Sequence, residues 1–345
     1  MPKFLARRSG FPRTAAILAA SLALALSCLL PAAASASHSA EMRALSLLPA
    51  SADLVISVDY FALRKSDLVA EMEKRIDSIP EASDHYRRFV RETGLDPRQD
   101  TDRVLISLRS ASDAGGSGFL LVAQGRFAGS RILETAAEKG GTLLAPREGV
   151  RIWTSREEAG GSSEPSPEKS VMALARPDES TLLFGAESEV VRAVDVVTGA
   201  RAPEIKARRF RDLLAGADRK APVWAVLNSE SLANRVSSEI ARNNAGWNPG
   251  EILASVDSIR MACRVGTDLE MRIQVESKDL ESAGLLADLF RGAVAAAKLA
   301  ARDQDPELLK TLQELTLLEE GTGIEIQVRI PGSRLRPREG TTTAP

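Results

Sequence analysis

The chain has 345 residues, with 45 Lys and Arg, 47 Asp and Glu, and 44% hydrophobic residues. That balance belongs to a folded globular protein and excludes a wholly disordered chain, a coiled coil and a multi-pass membrane protein. With 9 Phe, 3 Trp and 2 Tyr and a net charge of −2, the chain has neither a base-stacking platform nor a basic face, which excludes nucleic acid as a partner.

The N-terminus reads as an export signal. Lys3, Arg7, Arg8 and Arg13 form a basic region without an acid, and Thr14 to Leu30 is an Ala- and Leu-rich apolar stretch closed by Pro31. Ala34 and Ala36 are the small residues a signal peptidase reads, so residues 1–36 are expected to be a signal peptide cleaved after Ala36. An uncut N-terminal anchor is the alternative, since the apolar stretch is short for a membrane span. Lipidation at Cys28 is a third option, against which stand Ala25 and Leu26 where lipoproteins place Leu and a small residue. Removing residues 1–36 takes away 4 of the 45 basic residues, leaving 41 against 47 acids, a net charge of −6. It also takes away Cys28, so Cys263 remains as a lone thiol, which argues against a CxxC redox centre and a thiolate zinc site. The location expected is the periplasm or extracellular space, with membrane contact only through an uncleaved signal segment.

In chain order, Asp53 to Tyr60 alternates as a strand, and a helical stretch runs from Phe61 to Ser78 and breaks at Pro80. A second helix, Ser83 to Glu92, stops at Thr93-Gly94. Val104 to Arg109 and Phe119 to Phe127 are strands joined by Gly115-Gly116-Ser117-Gly118, and the helix Ser130 to Lys139 ends at Gly140-Gly141. Strands follow at Val150 to Thr154, Val171 to Ala175 and Thr181 to Phe184, with a Gly-, Ser- and Pro-rich loop from Gly160 to Pro167 between the first two. Ser188 to Val197 is a short helix.

The later residues repeat the theme. Arg208 to Ala215 is a basic helix, Pro222 to Asn228 a strand and Glu230 to Arg242 a helix. Ile259, Met261, Cys263 and Val265 alternate with polar residues, Gly266-Thr267-Asp268 turns, and Leu269, Met271, Ile273 and Val275 alternate on the way back. A long helix spans Leu280 to Arg302, with Leu285, Leu286, Leu289, Phe290, Ala293, Val294 and Ala297 on one stripe facing a core. Ile324 to Ile330 is the last strand, and the Pro- and Thr-rich tail is expected to be disordered. The fold class is therefore α+β, in two related ferredoxin-like (split βαβ) halves, residues 37–200 and 201–331, followed by a tail at 332–345. Each half is an antiparallel sheet covered by helices on one side.

Few residues carry chemistry. After cleavage, histidine is confined to His38 and His85, too few for a triad or most zinc sites. His85 lies in a charged helix start and reads as a surface residue. Cys263 sits on the apolar face of its strand and reads as a small core residue. The glycines at 115–118 have no Lys-Ser/Thr and no helix after them, so they form a hairpin turn and not a phosphate loop. Asp96, Asp100 and Asp102 lack the calcium-loop spacing, because Arg98 occupies the third position and Thr101 the sixth; turn and strand-start contacts are expected. The basic run Arg201, Lys206, Arg208, Arg209, Arg211, Arg219 and Lys220 is interleaved with Glu204, Asp212 and Asp218, which dilutes its field. Glu157-Glu158 and Glu319-Glu320 are expected to face solvent. No catalytic residue, metal ligand or cofactor is implied.

Three stretches together resemble a known group. Leu48-Pro49-Ala50 runs into a strand ending at Asp59; Glu92-Thr93-Gly94-Leu95-Asp96-Pro97, with Asp100 and Asp102, leads into another strand; and Gly118-Phe119 to Gly125-Arg126-Phe127 precedes a helix. The ordering resembles a group of exported bacterial proteins of unknown function that carry a T-G-L-D-P segment after their first helices. The resemblance implies an envelope location and repeated α+β units, and it assigns no activity.

The function expected is that of an exported, non-catalytic protein that binds a protein partner or supports the cell envelope. The alternative is a carrier of a hydrophobic ligand, with room beside the Ala-rich Leu280–Arg302 helix. The second alternative is a carboxylate-based hydrolase, which needs two carboxyls facing each other across a cleft.

Overall fold

A computed structural model describes residues 37–109, 118–155, 171–228, 254–302 and 305–335. Helix α1 (Ser37–Ser46) precedes strand β1 (Leu54–Asp59). Helices α2 (Tyr60–Leu63), α3 (Asp67–Asp77) and α4 (Pro80–Thr93) and the turn α5 (Pro97–Asp100) lead into β2 (Thr101–Arg109) and β3 (Gly118–Gly125). Helix α6 (Ile132–Glu138) is followed by β4 (Thr142–Leu143), β5 (Ile152–Ser155), β6 (Met172–Asp178), β7 (Thr181–Ala186) and α7 (Glu187–Val197). A 3-10 turn (Glu204–Lys206) and α8 (Arg208–Leu214) reach β8 (Val223–Asn228). The hairpin β9 (Val256–Val265) and β10 (Asp268–Ser277) comes next, then helices α9 (Leu280–Ala301) and α10 (Pro306–Gln313), strands β11 (Thr316–Glu320) and β12 (Gly323–Pro331), and the turn α11 (Gly332–Leu335).

Local chemistry explains most of these boundaries. Pro80 opens α4 at a position whose N–H has no helical partner anyway, so it starts a helix instead of merely ending the preceding one. Gly94, at φ 63°, closes α4 in the left-handed conformation that a side chain resists. The single helix expected from Phe61 to Ser78 is two, because Ser66 adopts an extended backbone and its hydroxyl donates to the Gly266 carbonyl at 3.0 Å. The three-residue turn Gly266–Asp268 sets the β9–β10 register, with Leu269 opposite Val265. Asp279 and Asp305 cap α9 and α10 through their carboxylates. Helices α1 and α10 and strand β11 are additional to the sequence reading, and residues 332–335 of the expected tail form a helical turn. The expected signal peptide with Ala34 and Ala36, Gly115–Ser117, Glu157-Glu158, the loop at 160–167 and the helix expected over 230–242 lie outside the described residues.

The described strands form one twelve-stranded sheet in the order β11-β12-β10-β9-β8-β1-β2-β3-β7-β6-β5-β4. Every neighbouring pair is antiparallel. This corrects the expected topology while keeping the α+β class. A split βαβ unit sets the two strands that flank its helix parallel with another strand between them, whereas β1 and β2, which flank α2 to α5, pair antiparallel side by side. The first and second sets of strands also join directly, since β1 pairs with β8 from Leu54–Leu227 to Val58–Val223.

Covering on one side only is corrected as well. Across β1, β2, β3 and β7 both faces are buried, with Leu120, Leu121, Val122 and Ala123 all inside. On one face Leu45, Leu48, Val190, Val194, Phe210 and Trp224 pack α1, α7 and α8 onto the sheet. On the other, Tyr60, Leu63, Leu95, Phe127, Ile132 and Leu133 pack the helices from α2 to α6. Over β10, β12 and β11 helix α9 covers that second face through Ala287, Leu286 and Phe290 above Ile324 and Ile326. The opposite face there carries Arg260, Arg272, Gln274, Glu325 and Gln327, in line with the alternation of the hairpin.

Candidate apolar ligand site

The site begins with an unbroken apolar row on the sheet. Register places Phe184 beside Leu174 and Leu174 beside Trp153, so β7, β6 and β5 present three large side chains to one face. Phe119 of β3 extends the row, meeting Phe184 edge to face at 6.1 Å between ring centroids. Helices α4 and α6 lie above this floor but do not close on it completely.

Between them lies a cleft of about 230 Å³, lined by Phe89 and Glu92 of α4, Ile132, Thr135 and Ala136 of α6, and Trp153, Met172, Leu174 and Phe184 of the sheet. The two roofing helices are tied at one corner: Arg131 donates its backbone N–H to Thr93 at 2.6 Å, and Thr135 donates its hydroxyl to the Glu92 carbonyl at 2.8 Å. Arg176 of β6 holds the entry to α6, donating to the carbonyls of Phe127 at 2.7 Å and Ser130 at 3.1 Å. Gly141 turns the chain away from α6 so closely that a Cβ there would meet the Ala136 carbonyl at 2.7 Å. The turn brings Trp153 under the helix end.

Two charged side chains mark the rim of the cleft. Glu92 and Lys139 form an ion pair at its rim, joining the end of α4 to the end of α6. The Lys139 hydrogen bond holds the Glu92 carboxyl below its ordinary range. The Trp153 indole N–H is buried with no hydrogen-bond partner among the described residues. A buried donor of this kind costs free energy until an acceptor reaches it. Among the described residues Glu92 is the one carboxylate in the lining, and it stands at the rim of an otherwise apolar cleft.

The residues singled out in the sequence lie elsewhere. His85 is exposed on α4, its Nδ1 2.7 Å from the Glu81 carbonyl. His38 lies within α1. Cys263 is half-buried among Val223 and Met271, and burial pushes its thiol pKa up. Asp96 caps α5, accepting from the Arg98 N–H at 2.8 Å and from the Tyr86 hydroxyl; Asp100 accepts from the Asp96 N–H at 2.8 Å; Asp102 pairs with buried Arg64 at 3.0 Å. These are the turn and strand-start contacts expected of them. Within the basic run Arg201, Arg208, Arg209 and Arg219 pair with Glu204, Asp212, Asp53 and Glu41. Glu319 and Glu320 are exposed on β11, where Glu319 pairs with Arg291. Among the described residues no three His, Cys, Asp or Glu side chains converge as a metal site, and no helix is long and apolar enough to cross a membrane. The Ala-rich run of α9 does not line the cleft, which lies towards the other end of the sheet. The cleft escaped sequence reading because its lining comes from five separate elements. The visible signals were the aromatics Phe89, Trp153 and Phe184, each at an ordinary core position of its own element.

No protein-family model matches the chain, and no curated protein matches it. A solved structure described as crystal form I of TP0453 is similar over 84% of this chain and 94% of that chain, at 11% identity and a TM-score of 0.43. A likeness at that level assigns neither a fold family nor a function.

Proposed function

We propose that this protein is an exported, non-catalytic binding protein of the cell envelope that holds a short apolar group, such as the end of an acyl chain, in the cleft between α4, α6 and strands β5–β7. The observation that carries this reading is an apolar cleft floored by Trp153, Leu174 and Phe184 and roofed by α4 and α6. A ligand with an apolar body matches that lining, burying carbon against Leu174 and Phe184. The volume corresponds to about eight water-sized groups, so the cleft suits one short chain or ring and not a whole lipid. In this reading the chain works as two α+β units, 37–200 and 201–331, with the cleft in the first. Export with cleavage after Ala36 belongs to the same proposal and rests on the basic, apolar and small-residue order of residues 1–36.

The test is native mass spectrometry on protein purified from its own host's envelope, compared with a denatured sample, together with titration by decanoic acid. The expected results are a native excess mass that vanishes on denaturation and saturable binding of the acid. Filling the cleft by Ala136→Phe should weaken that binding by about tenfold or more, roughly 1.4 kcal/mol, with an unchanged circular dichroism spectrum. A native mass equal to the chain or a whole multiple of it, with no binding of the acid, would overturn the reading. So would binding unaffected by Ala136→Phe. The denatured mass also reports whether the chain begins at Ser37.

A further inference from the structure

Helix α9 carries two apolar stripes, and the sheet uses only one. Ala283, Ala287, Phe290, Val294, Ala297 and Ala301 follow helical spacing on the face turned to the sheet and are buried or half-buried. Leu285 (66% exposed), Leu289 (43%) and Leu299 (71%) stand on the opposite side, in a row continued by exposed Gly292, Ala293 and Ala296. The stripe read from the sequence therefore divides: Leu286, Phe290, Val294 and Ala297 face the sheet, while Leu285, Leu289 and Ala293 face away from it.

We propose that this outer stripe is the interface of a two-fold homodimer, in which the α9 helices of two copies pack antiparallel about Gly292. The stripe is complementary to itself. Leu285 and Leu299 lie seven residues to either side of Gly292, so an antiparallel second copy sets each Leu285 against the partner's Leu299. These two contact layers are about 21 Å apart along the helix. Between them the surface is small: a Cβ on Gly292 would meet nothing within 4 Å, and Ala293 and Ala296 leave space for the partner's Leu289. Small residues at a crossing allow helices to approach at the close end of their packing range.

Charge supports the same direction. Glu281 and Asp288 lie in the N-terminal half of α9, and Arg291, Lys298 and Arg302 in the C-terminal half. They occupy one flank of the stripe, and a two-fold antiparallel pair brings like flank to like flank with the sequence reversed. Glu281 then faces the partner's Arg302 at both ends. One helix stripe offers less than the roughly 800 Å² per partner of a standard interface, so association is expected in the micromolar range. The inference is independent of the cleft, which involves neither α9 nor its neighbours.

Sedimentation velocity over a range of about 1 to 200 μM, on the protein as its host processes it, tests the proposal. A concentration-dependent monomer–dimer equilibrium is expected. Leu285→Lys combined with Leu299→Lys should leave a monomer with unaltered circular dichroism and Tm, because both side chains are exposed. Glu281→Arg should weaken association at least about tenfold, and adding Arg302→Glu should restore it. Gly292→Cys, at the two-fold, should give a cross-linked dimer on mild oxidation, while Thr142→Cys should not. A monomer at every concentration, a dimer that survives the double Lys substitution, or a monomer that instead floats with anionic lipid vesicles would each overturn it.

Discussion

Cys263 shows how little a residue's chemical type says without its surroundings. A thiolate is the nucleophile, and a thiol becomes one easily only where cations or helix N-termini favour the charge. Cys263 has apolar neighbours across the strand on both sides, Val223 and Met271, and desolvation raises its pKa. A thiol reagent at neutral pH should therefore label the native protein slowly and the urea-unfolded protein quickly, by a ratio of about tenfold or more. Rapid labelling of the native chain would mean that the β9 strand is exposed on the face assigned to its core. The alternation that placed Cys263 on an apolar face was legible in the sequence, since its period is fixed by the pleat itself.

At the scale of elements, the α4–α6 roof depends on contacts between residues distant in sequence, of which the Glu92–Lys139 pair is the titratable one. Glu92 has a lowered pKa in the folded protein. Its contribution is fully present above the unfolded glutamate value of about 4.3 and is lost as pH falls through the lower folded value. Decanoic acid binding, read by a method that controls for the acid's own ionisation, should therefore weaken below about pH 4. Lys139→Met, which lacks the pair at every pH, should lose that acid limb, with a small loss of binding at pH 7 because an exposed pair contributes little. An unchanged acid limb in Lys139→Met would show that the rim pair does not fasten the roof. Helix ends at this scale follow from local rules, as Gly94 and Gly140 show with their positive φ. The pairing of those ends does not, because Arg131 to Thr93 and Thr135 to Glu92 are tertiary contacts.

For the whole molecule, α1 is held to the sheet by charge as well as by carbon. Glu41, 3% exposed, pairs with Arg103 at 3.1 Å and Arg219 at 3.0 Å, and Arg103 pairs in turn with Asp59. Beside them Gln124 donates to the Ala40 carbonyl at 2.8 Å. Removing one member of a buried ion network leaves the others desolvated and uncompensated, which costs about 3–5 kcal/mol. Glu41→Ala should thus lower the urea midpoint by an amount corresponding to about 3 kcal/mol. Arg208→Ala, which breaks an exposed pair with Asp212, should cost less than about 0.5 kcal/mol. Equal effects of the two substitutions would refute the assignment of Glu41 as the central buried anchor.

Sequence alone determined what depends on near neighbours: the strand alternation, the glycine helix ends, the turn at Gly266–Asp268, and the mixed α+β class with its antiparallel hairpins. These follow from backbone sterics and from periods of two and 3.6 residues, which a linear chain displays directly. The tertiary structure decided how the strands order into one sheet, that β1 joins β8 across the chain, and that the central strands are buried on both faces. It also decided which face of α9 meets the sheet, since that helix is apolar on both sides and its sequence pattern has no single answer. The cleft belongs to this second group. Its lining residues sit at ordinary core positions of five elements, and a gap between packed elements arises only from how those elements are set against one another in space.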